Sequence, residues 1–217
     1  MINTLLLFPI IACIAMFIIR NKKFDCLMVN LYAIAHFVIT VLFMCGVGNR
    51  TAIPYFSVDN MNLIFLAVLS VVFLMVSIYN NGYLKTLNFS DTKIRHYLGM
   101  ILIFVLAMTA TVLSTDLGIS WILIEATTLS SAYLIYFNKT KHAIEAAWKY
   151  VFICSIGIAL AFVGIILLNI STDSVNTMNF AQLYKYAQSF DVNWLKLAFV
   201  FMVFGFGVKM GDRKSVV

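Results

Sequence analysis

The sequence predicts an all-α bundle of about seven membrane-spanning helices, and three observations carry that prediction. Of its 217 residues, 63% are hydrophobic and 11% charged, against about 45–50% and about 25% in an ordinary soluble domain. A water-soluble fold of that composition would have to leave much of its surface greasy. Seven apolar runs then approach the roughly 20 residues needed to cross about 30 Å of hydrocarbon. They are Ile2–Ile19, Leu27–Val47, Met61–Tyr79, Tyr97–Leu113, Leu117–Phe137, Ala146–Asn169 and Trp194–Met210. Finally, the alternating pattern of a membrane β-strand is absent, which leaves helices as the backbone able to satisfy its own polar groups in lipid.

The first run contains Ile10-Ile11-Ala12-Cys13, faintly like a lipoprotein cleavage box. No basic residue precedes it, and Arg20, Lys22 and Lys23 follow, so the run reads as an uncleaved span. The second run holds His36 at its middle. It is a possible proton relay, or a histidine packed and hydrogen-bonded between helices. Loops one, three and five carry Arg20, Lys22, Lys23, Lys85, Lys93, Arg95, Lys139 and Lys141, whereas loops two, four and six carry Arg50 and Lys185, with Lys196 just inside the seventh run. Positive-inside bias puts the odd-numbered loops in the cytoplasm and the N-terminus outside. The net charge of +6 therefore sets topology and does not point to nucleic acid, for no basic stretch is interleaved with aromatics. Asp59 and Asp116 mark outer span ends. In loop six, Phe180, Leu183, Tyr184, Ala187 and Phe190 recur at helical spacing and predict an amphipathic surface helix over Thr177–Phe190. Cys13, Cys26, Cys45 and Cys154 have no metal-like spacing and read as small packing residues.

The fifth run sets Glu125 inside a membrane helix. A charge near the bilayer centre costs roughly 2.5–3.5 kcal/mol on insertion scales, and a Leu or Ile returns only about 0.3–0.6. A chain that keeps such a residue needs a buried partner or a use for its proton. Lys149 and Lys209 lie in apolar runs of the same kind. At about 1.5 Å per residue, Glu125 sits roughly 18 Å from the cytoplasmic side, Lys149 about 5–9 Å and Lys209 about 8 Å. An acid beside an amine in low dielectric is a switchable pair: proximity favours both charges and separation disfavours both. Against this, Lys149 near a helix end is also placed to snorkel, and Glu125 to cap a backbone break. Gly118, Thr128 and Ala132 share the face of Glu125, and Gly157, Ala161 and Gly164 form a small-residue stripe in the sixth run. Gly205 and Gly207, just before Lys209, predict a discontinuous seventh helix.

These residues also resemble a known family. The stretch Leu113-Ser114-Thr115-Asp116-Leu117-Gly118, continuing to Trp121-x-x-x-Glu125-x-x-x-Leu129-Ser130-Ser131, is similar to the fifth-helix region of antiporter-like subunits. Those subunits are shared by respiratory complex I, Mrp sodium/proton antiporters and group 4 membrane hydrogenases. Glu125-Ala126-Thr127-Thr128-Leu129 and Glu145-Ala146-Ala147-Trp148-Lys149-Tyr150 look most like the hydrogenase-4 component F branch, and Phe204-Gly205-Phe206-Gly207-Val208-Lys209-Met210-Gly211 resembles the family's broken seventh helix. The resemblance covers about Phe56 to Gly211. It implies that Glu125 and Lys209 form the coupling pair of a proton channel, and that the fold is the first part of a fourteen-span inverted repeat. After Gly211 the family's Leu-Ala-Pro-x-His-x-Trp-Leu-Pro is replaced by Asp212-Arg213-Lys214-Ser215-Val216-Val217. The expectation is a truncated transmembrane domain over 1–211 and a non-native tail over 212–217, which a common sequencing adapter would encode if translated in frame.

The function expected is a proton- or sodium-translocating membrane subunit of a group 4 hydrogenase or complex I-like oxidoreductase. Glu125, Lys209 and Lys149 are its relay and His36 a further candidate. A subunit of a multi-subunit Mrp-type cation/proton antiporter is the transporter alternative, and an inert membrane scaffold with a buried ion pair the structural one. No catalytic centre, metal or cofactor is expected in this chain. Partner subunits, membrane and peripheral, would carry Ni-Fe and iron-sulfur centres, and the location would be a prokaryotic inner membrane.

Overall fold

Each apolar run forms a helix, and most of the helices outrun the apolar stretch. The helices are α1 (Ile2–Ile19), α2 (Lys22–Met44), α3 (Asn60–Thr86), α4 (Asp91–Leu113), α5 (Leu117–Tyr136), α6 (Lys141–Ser171), a short α7 (Phe180–Lys185) and α8 (Val192–Lys209). The structure is a computed structural model and describes residues 1–47, 51–53, 55–86, 90–172 and 178–210. The tail at Asp212–Val217, Gly211, Arg50 and Thr177 lie outside the described residues. Apart from α7, all the helices are long and apolar enough to cross a membrane, seven in number among the described residues.

Polar caps extend the helices beyond the hydrocarbon-matched core. Asn21 Oδ1 accepts from Lys23 N at 3.0 Å and starts α2 five residues ahead of Leu27. Thr140 Oγ1 accepts from Ala143 N at 3.1 Å and starts α6 at Lys141. Such side chains satisfy amides that the first helical turn leaves without partners. Asp116, read as a span end, does the same for α5, accepting from Gly118 N at 3.0 Å and Ile119 N at 3.1 Å.

The chain divides into two compact units, Met1–Ser114 and Thr115–Val217. In the first, α1 to α4 close on large side chains: Tyr32, Phe43, Met16, Leu66, Leu102 and Leu113 are fully buried. Pro9 lies inside α1, where its missing N–H would leave the carbonyl four residues back without its donor. That carbonyl belongs to Leu5, and Tyr32 Oη donates to it at 3.0 Å. The proline thus costs no unsatisfied group in lipid. Two short antiparallel strands, β1 (Thr51–Ile53) and β2 (Phe56–Ser57), link α2 to α3, and Phe56 bridges to Ser114.

The second unit packs differently. Here α6 lies backbone to backbone on α8, because the facing residues are small. A Cβ added to Gly205 would fall 2.3 Å from the Ala161 amide nitrogen, one on Gly164 2.6 Å from Met202 Cγ, and one on Gly157 2.7 Å from Val208 Cβ. The small-residue stripe predicted in α6 is therefore the contact with α8. The expected break in the seventh span does not fall at the glycines themselves, and the residues after Met210 lie outside those described. Helix α8 is continuous to Lys209, and Gly205 serves close approach and not discontinuity. Between α6 and α8, Leu117 N donates to Met178 O and Phe180 N to Thr115 O, both at 3.0 Å, which staples the α7 segment to the start of α5. The amphipathic helix expected there is shorter than predicted: α7 ends at Lys185, and a single 3-10 turn, Ala187–Ser189, follows. None of the residues of α7 is buried, and Tyr184 is 87% exposed.

Candidate functional site

In the second unit α5 presents Trp121, Glu125, Thr128 and Ala132 along one face, since residues three and four apart stack on a helix. Trp121 anchors that face. Its Nε1 donates to Ile158 O of α6 at 2.9 Å, and its ring lies 4.6 Å from that of Phe162. One turn on, the Oε2 atom of Glu125 is buried without a hydrogen-bond partner. An unpaired buried acceptor is costly in any low-dielectric interior, so this oxygen marks a place where a proton, a water or a partner group belongs.

One further turn along, Thr128 is fully buried. Its hydroxyl donates to Ile124 O at 3.2 Å within α5, leaving the oxygen free to accept. The donor it receives is Lys209 Nζ of α8. The amine also stands 5.8 Å from the centre of the Tyr150 ring of α6, a cation–π distance. Ser131 Oγ donates to Thr128 O at 2.9 Å, so the Tyr150 hydroxyl is the donor in its own 2.9 Å bond to Ser131 Oγ. The result is a polar seam through three helices: Glu125, Thr128 and Ser131 on α5, Tyr150 on α6 and Lys209 on α8. No ion pair joins Glu125 to Lys209 among the described residues. The threonine hydroxyl stands on the amine, one turn from the carboxylate.

The other predicted residues lie elsewhere. Lys149 is not brought to this seam. Its Nζ sits 2.6 Å from Glu145 Oε1 one turn back on α6, with side chains 70% and 59% exposed. That spacing, with the acid N-terminal to the lysine, is the favourable order of a helix-surface pair. His36 belongs to the first unit, fully buried beside Tyr32 and Phe73. Its Nε2 is 3.1 Å from Thr109 Oγ1, whose own hydrogen goes to Val105 O at 2.7 Å. Nε2 therefore carries the donated proton, and Nδ1 is a buried acceptor with no partner.

Two features escape a reading by hydropathy. Tyr150 and Ser131 sit within the quoted motifs, but only folding brings Tyr150 to Lys209 and Ser131 to Tyr150. Arg95, assigned to the third loop, instead occupies the first turns of α4. It is buried against Asp25 of α2, with Nε 3.2 Å from Oδ2 and side chains 7% and 0% exposed. The separation is that of an ion pair, without the alignment of a hydrogen bond. Among the described residues no three His, Cys, Asp or Glu side chains cluster to hold a metal ion.

Comparison with known proteins agrees with the motifs. Residues 114–213 match the family model described as NADH:quinone oxidoreductase/Mrp antiporter, transmembrane region. A curated relative, a hydrogenase-4 component F homologue of Methylacidiphilum infernorum (isolate V4), is 26% identical over 166 residues, covering 72% of this chain and 35% of its own length. The chain thus spans about a third of that relative. Among solved structures, a chain of the membrane-bound sulfane sulfur reductase, an archaeal respiratory membrane complex, superposes with a TM-score of 0.76. That match is 21% identical and covers 94% of this chain and 43% of the other, a likeness of fold. This is a multi-pass membrane protein whose residues 114–213 are similar to the transmembrane region of the NADH:quinone oxidoreductase/Mrp antiporter family.

Proposed function

We propose that the chain is an ion-translocating subunit, for protons or sodium, of a group 4 hydrogenase or complex I-like oxidoreductase in a prokaryotic inner membrane, its odd-numbered loops cytoplasmic. Redox chemistry resides on partner subunits carrying Ni-Fe and iron-sulfur centres, and this chain hosts part of the ion path. The observation that carries the reading is Lys209 Nζ bonded to Thr128, one helical turn from Glu125 with its orphaned oxygen. Movement of the amine by one turn along α5 would exchange a hydroxyl for a carboxylate. Each position favours a different protonation state of the acid and the amine, because a nearby opposite charge stabilises both ionised forms. Glu125 and Lys209 are the exchanging pair, Thr128 the parking acceptor, and Lys149 with Glu145 a solvent-facing pair at the end of α6. His36, the further candidate, stands in the first unit with its Nε2 on Thr109.

The test is Glu125→Gln in the full-length protein within its native complex. Redox turnover that continues while ion translocation falls at least tenfold is the expected result. Unchanged translocation in a normally assembled complex would instead favour a scaffold. The family description also includes Mrp antiporters. Nickel-iron hydrogenase genes beside this chain's gene separate the redox reading from that one.

A further inference from the structure

At one end of the first unit, the N-terminus of α2 and the C-terminus of α3 border an open cavity of about 470 Å³. Its walls include Lys22, Lys23 and Leu27 from α2, Lys85 from α3, and the carboxamides of Asn30 and Asn81. Ligand pockets for small organic molecules run to about 300–1,000 Å³. None of the three lysines is in an ion pair among the described residues. Asp25, in the same turn of α2, is directed away from them into its buried contact with Arg95. The cavity therefore gathers three lysines that pair with no acid among the described residues.

Its floor has donors to spare. Asn30 Nδ2 donates to Asn81 Oδ1 and Asn81 Nδ2 to Asn30 Oδ1, each at 3.1 Å. Both oxygens are thus engaged, Asn30 Oδ1 also accepting from Ser77 Oγ, whereas each amide nitrogen has a second hydrogen uncommitted. Cations at the mouth and amide donors beneath suit a phosphate ester bearing a polar substituent. Leu27, which borders the cavity, is followed along α2 by further exposed apolar residues. Leu27, Leu31 and Ile34, at successive turns of α2, are 55%, 44% and 57% exposed.

We propose that this cavity binds the headgroup of an anionic glycerophospholipid. The phosphate lies among Lys22, Lys23 and Lys85, its glycerol-side oxygens over the Asn30–Asn81 pair, and one acyl chain along Leu27, Leu31 and Ile34. Basic pockets between helices at a membrane surface recognise such lipids through charge, each lysine contributing to the attraction. These exposed apolar residues select a lipid over free inorganic phosphate, which has nothing to lay against them.

The experiment is native mass spectrometry of the delipidated full chain titrated with phosphatidylglycerol, phosphatidylcholine or inorganic phosphate. Phosphatidylglycerol should be retained at one site, at least tenfold more tightly than phosphatidylcholine, and undisplaced by phosphate at equal concentration. Lys22→Gln/Lys23→Gln/Lys85→Gln should weaken it by roughly fivefold per lysine removed, while Lys139→Gln/Lys141→Gln leaves it unchanged. Should the triple variant not fold, Lys85→Glu alone, on an exposed side chain, carries the same expectation of loss. Equal retention of both lipids, equal loss in the two lysine sets, or displacement by phosphate alone overturns the assignment.

Discussion

The two units treat buried charge in opposite ways. In the first, Asp25 and Arg95 are matched to each other and removed from solvent almost completely. In the second, Lys209 bonds to a neutral hydroxyl while Glu125, one turn away, keeps a buried oxygen with nothing on it. A matched buried pair holds helices in one arrangement, because removing either partner strands the other charge. An acid and an amine held one turn apart are free to gain or lose each other as a helix shifts. Their packing differs in parallel. The first unit fills its interior with Tyr32, Phe43, Leu66 and Leu113, while the second sets α6 on α8 through Gly157, Ala161, Gly164 and Gly205. Small-residue interfaces bring helix backbones into close contact.

The largest effect should come from the matched pair. Arg95→Met leaves Asp25 buried and without its partner, at a cost of about 3–5 kcal/mol, and Asp25→Leu/Arg95→Met should recover most of it. Thermal unfolding in detergent, with Lys209→Met alongside, measures the contrast. Lys209→Met should cost less, about 1.5–3 kcal/mol at most, since it removes a bond to a neutral hydroxyl and a contact with the Tyr150 ring and strands no paired charge. Equal losses for Arg95→Met and Lys209→Met would erase the distinction between the units.

The interface between α6 and α8 comes next. Gly205→Val places carbon where the Ala161 backbone lies and should destabilise the second unit by about 3 kcal/mol. Gly207→Ala, where an added Cβ meets nothing within 4 Å, should be neutral or gain up to about 1 kcal/mol from helix propensity. A Gly207→Ala loss as large as that of Gly205→Val would restore the broken-helix reading. Thr128→Val should also cost little stability, about 1 kcal/mol, because the hydroxyl's bond to Ile124 is local and the amine has other places to go. Its ion-translocation rate in the assembled complex should nevertheless fall, and an unchanged rate would remove Thr128 from the path.

The number of spans was legible because about 20 apolar residues in a row have few other uses. Their ends were not, since hydropathy marks hydrocarbon thickness while the helix continues to its polar cap. Asn21 and Thr140 carry α2 and α6 further out than the apolar runs indicate. Local chemistry on one helix was also readable: Thr128 beside Glu125, and the small stripe of α6. What joins different helices was not. Asp25 with Arg95, Tyr150 over Lys209, and Tyr32 donating to the carbonyl freed by Pro9 are decided by which faces meet.

The sequence by itself determined that this chain lives in a membrane, where its helices run, and that three of its charged residues needed an explanation. Tertiary structure alone decided the explanations. It placed Lys209 on Thr128, turned Lys149 outward to Glu145, and made of Gly205 a contact in place of a break. The physical reason is that burial in lipid is a property of a segment, additive along the chain. The partner of a polar side chain depends on the rotation of each helix, and that is set by packing against residues far away in sequence.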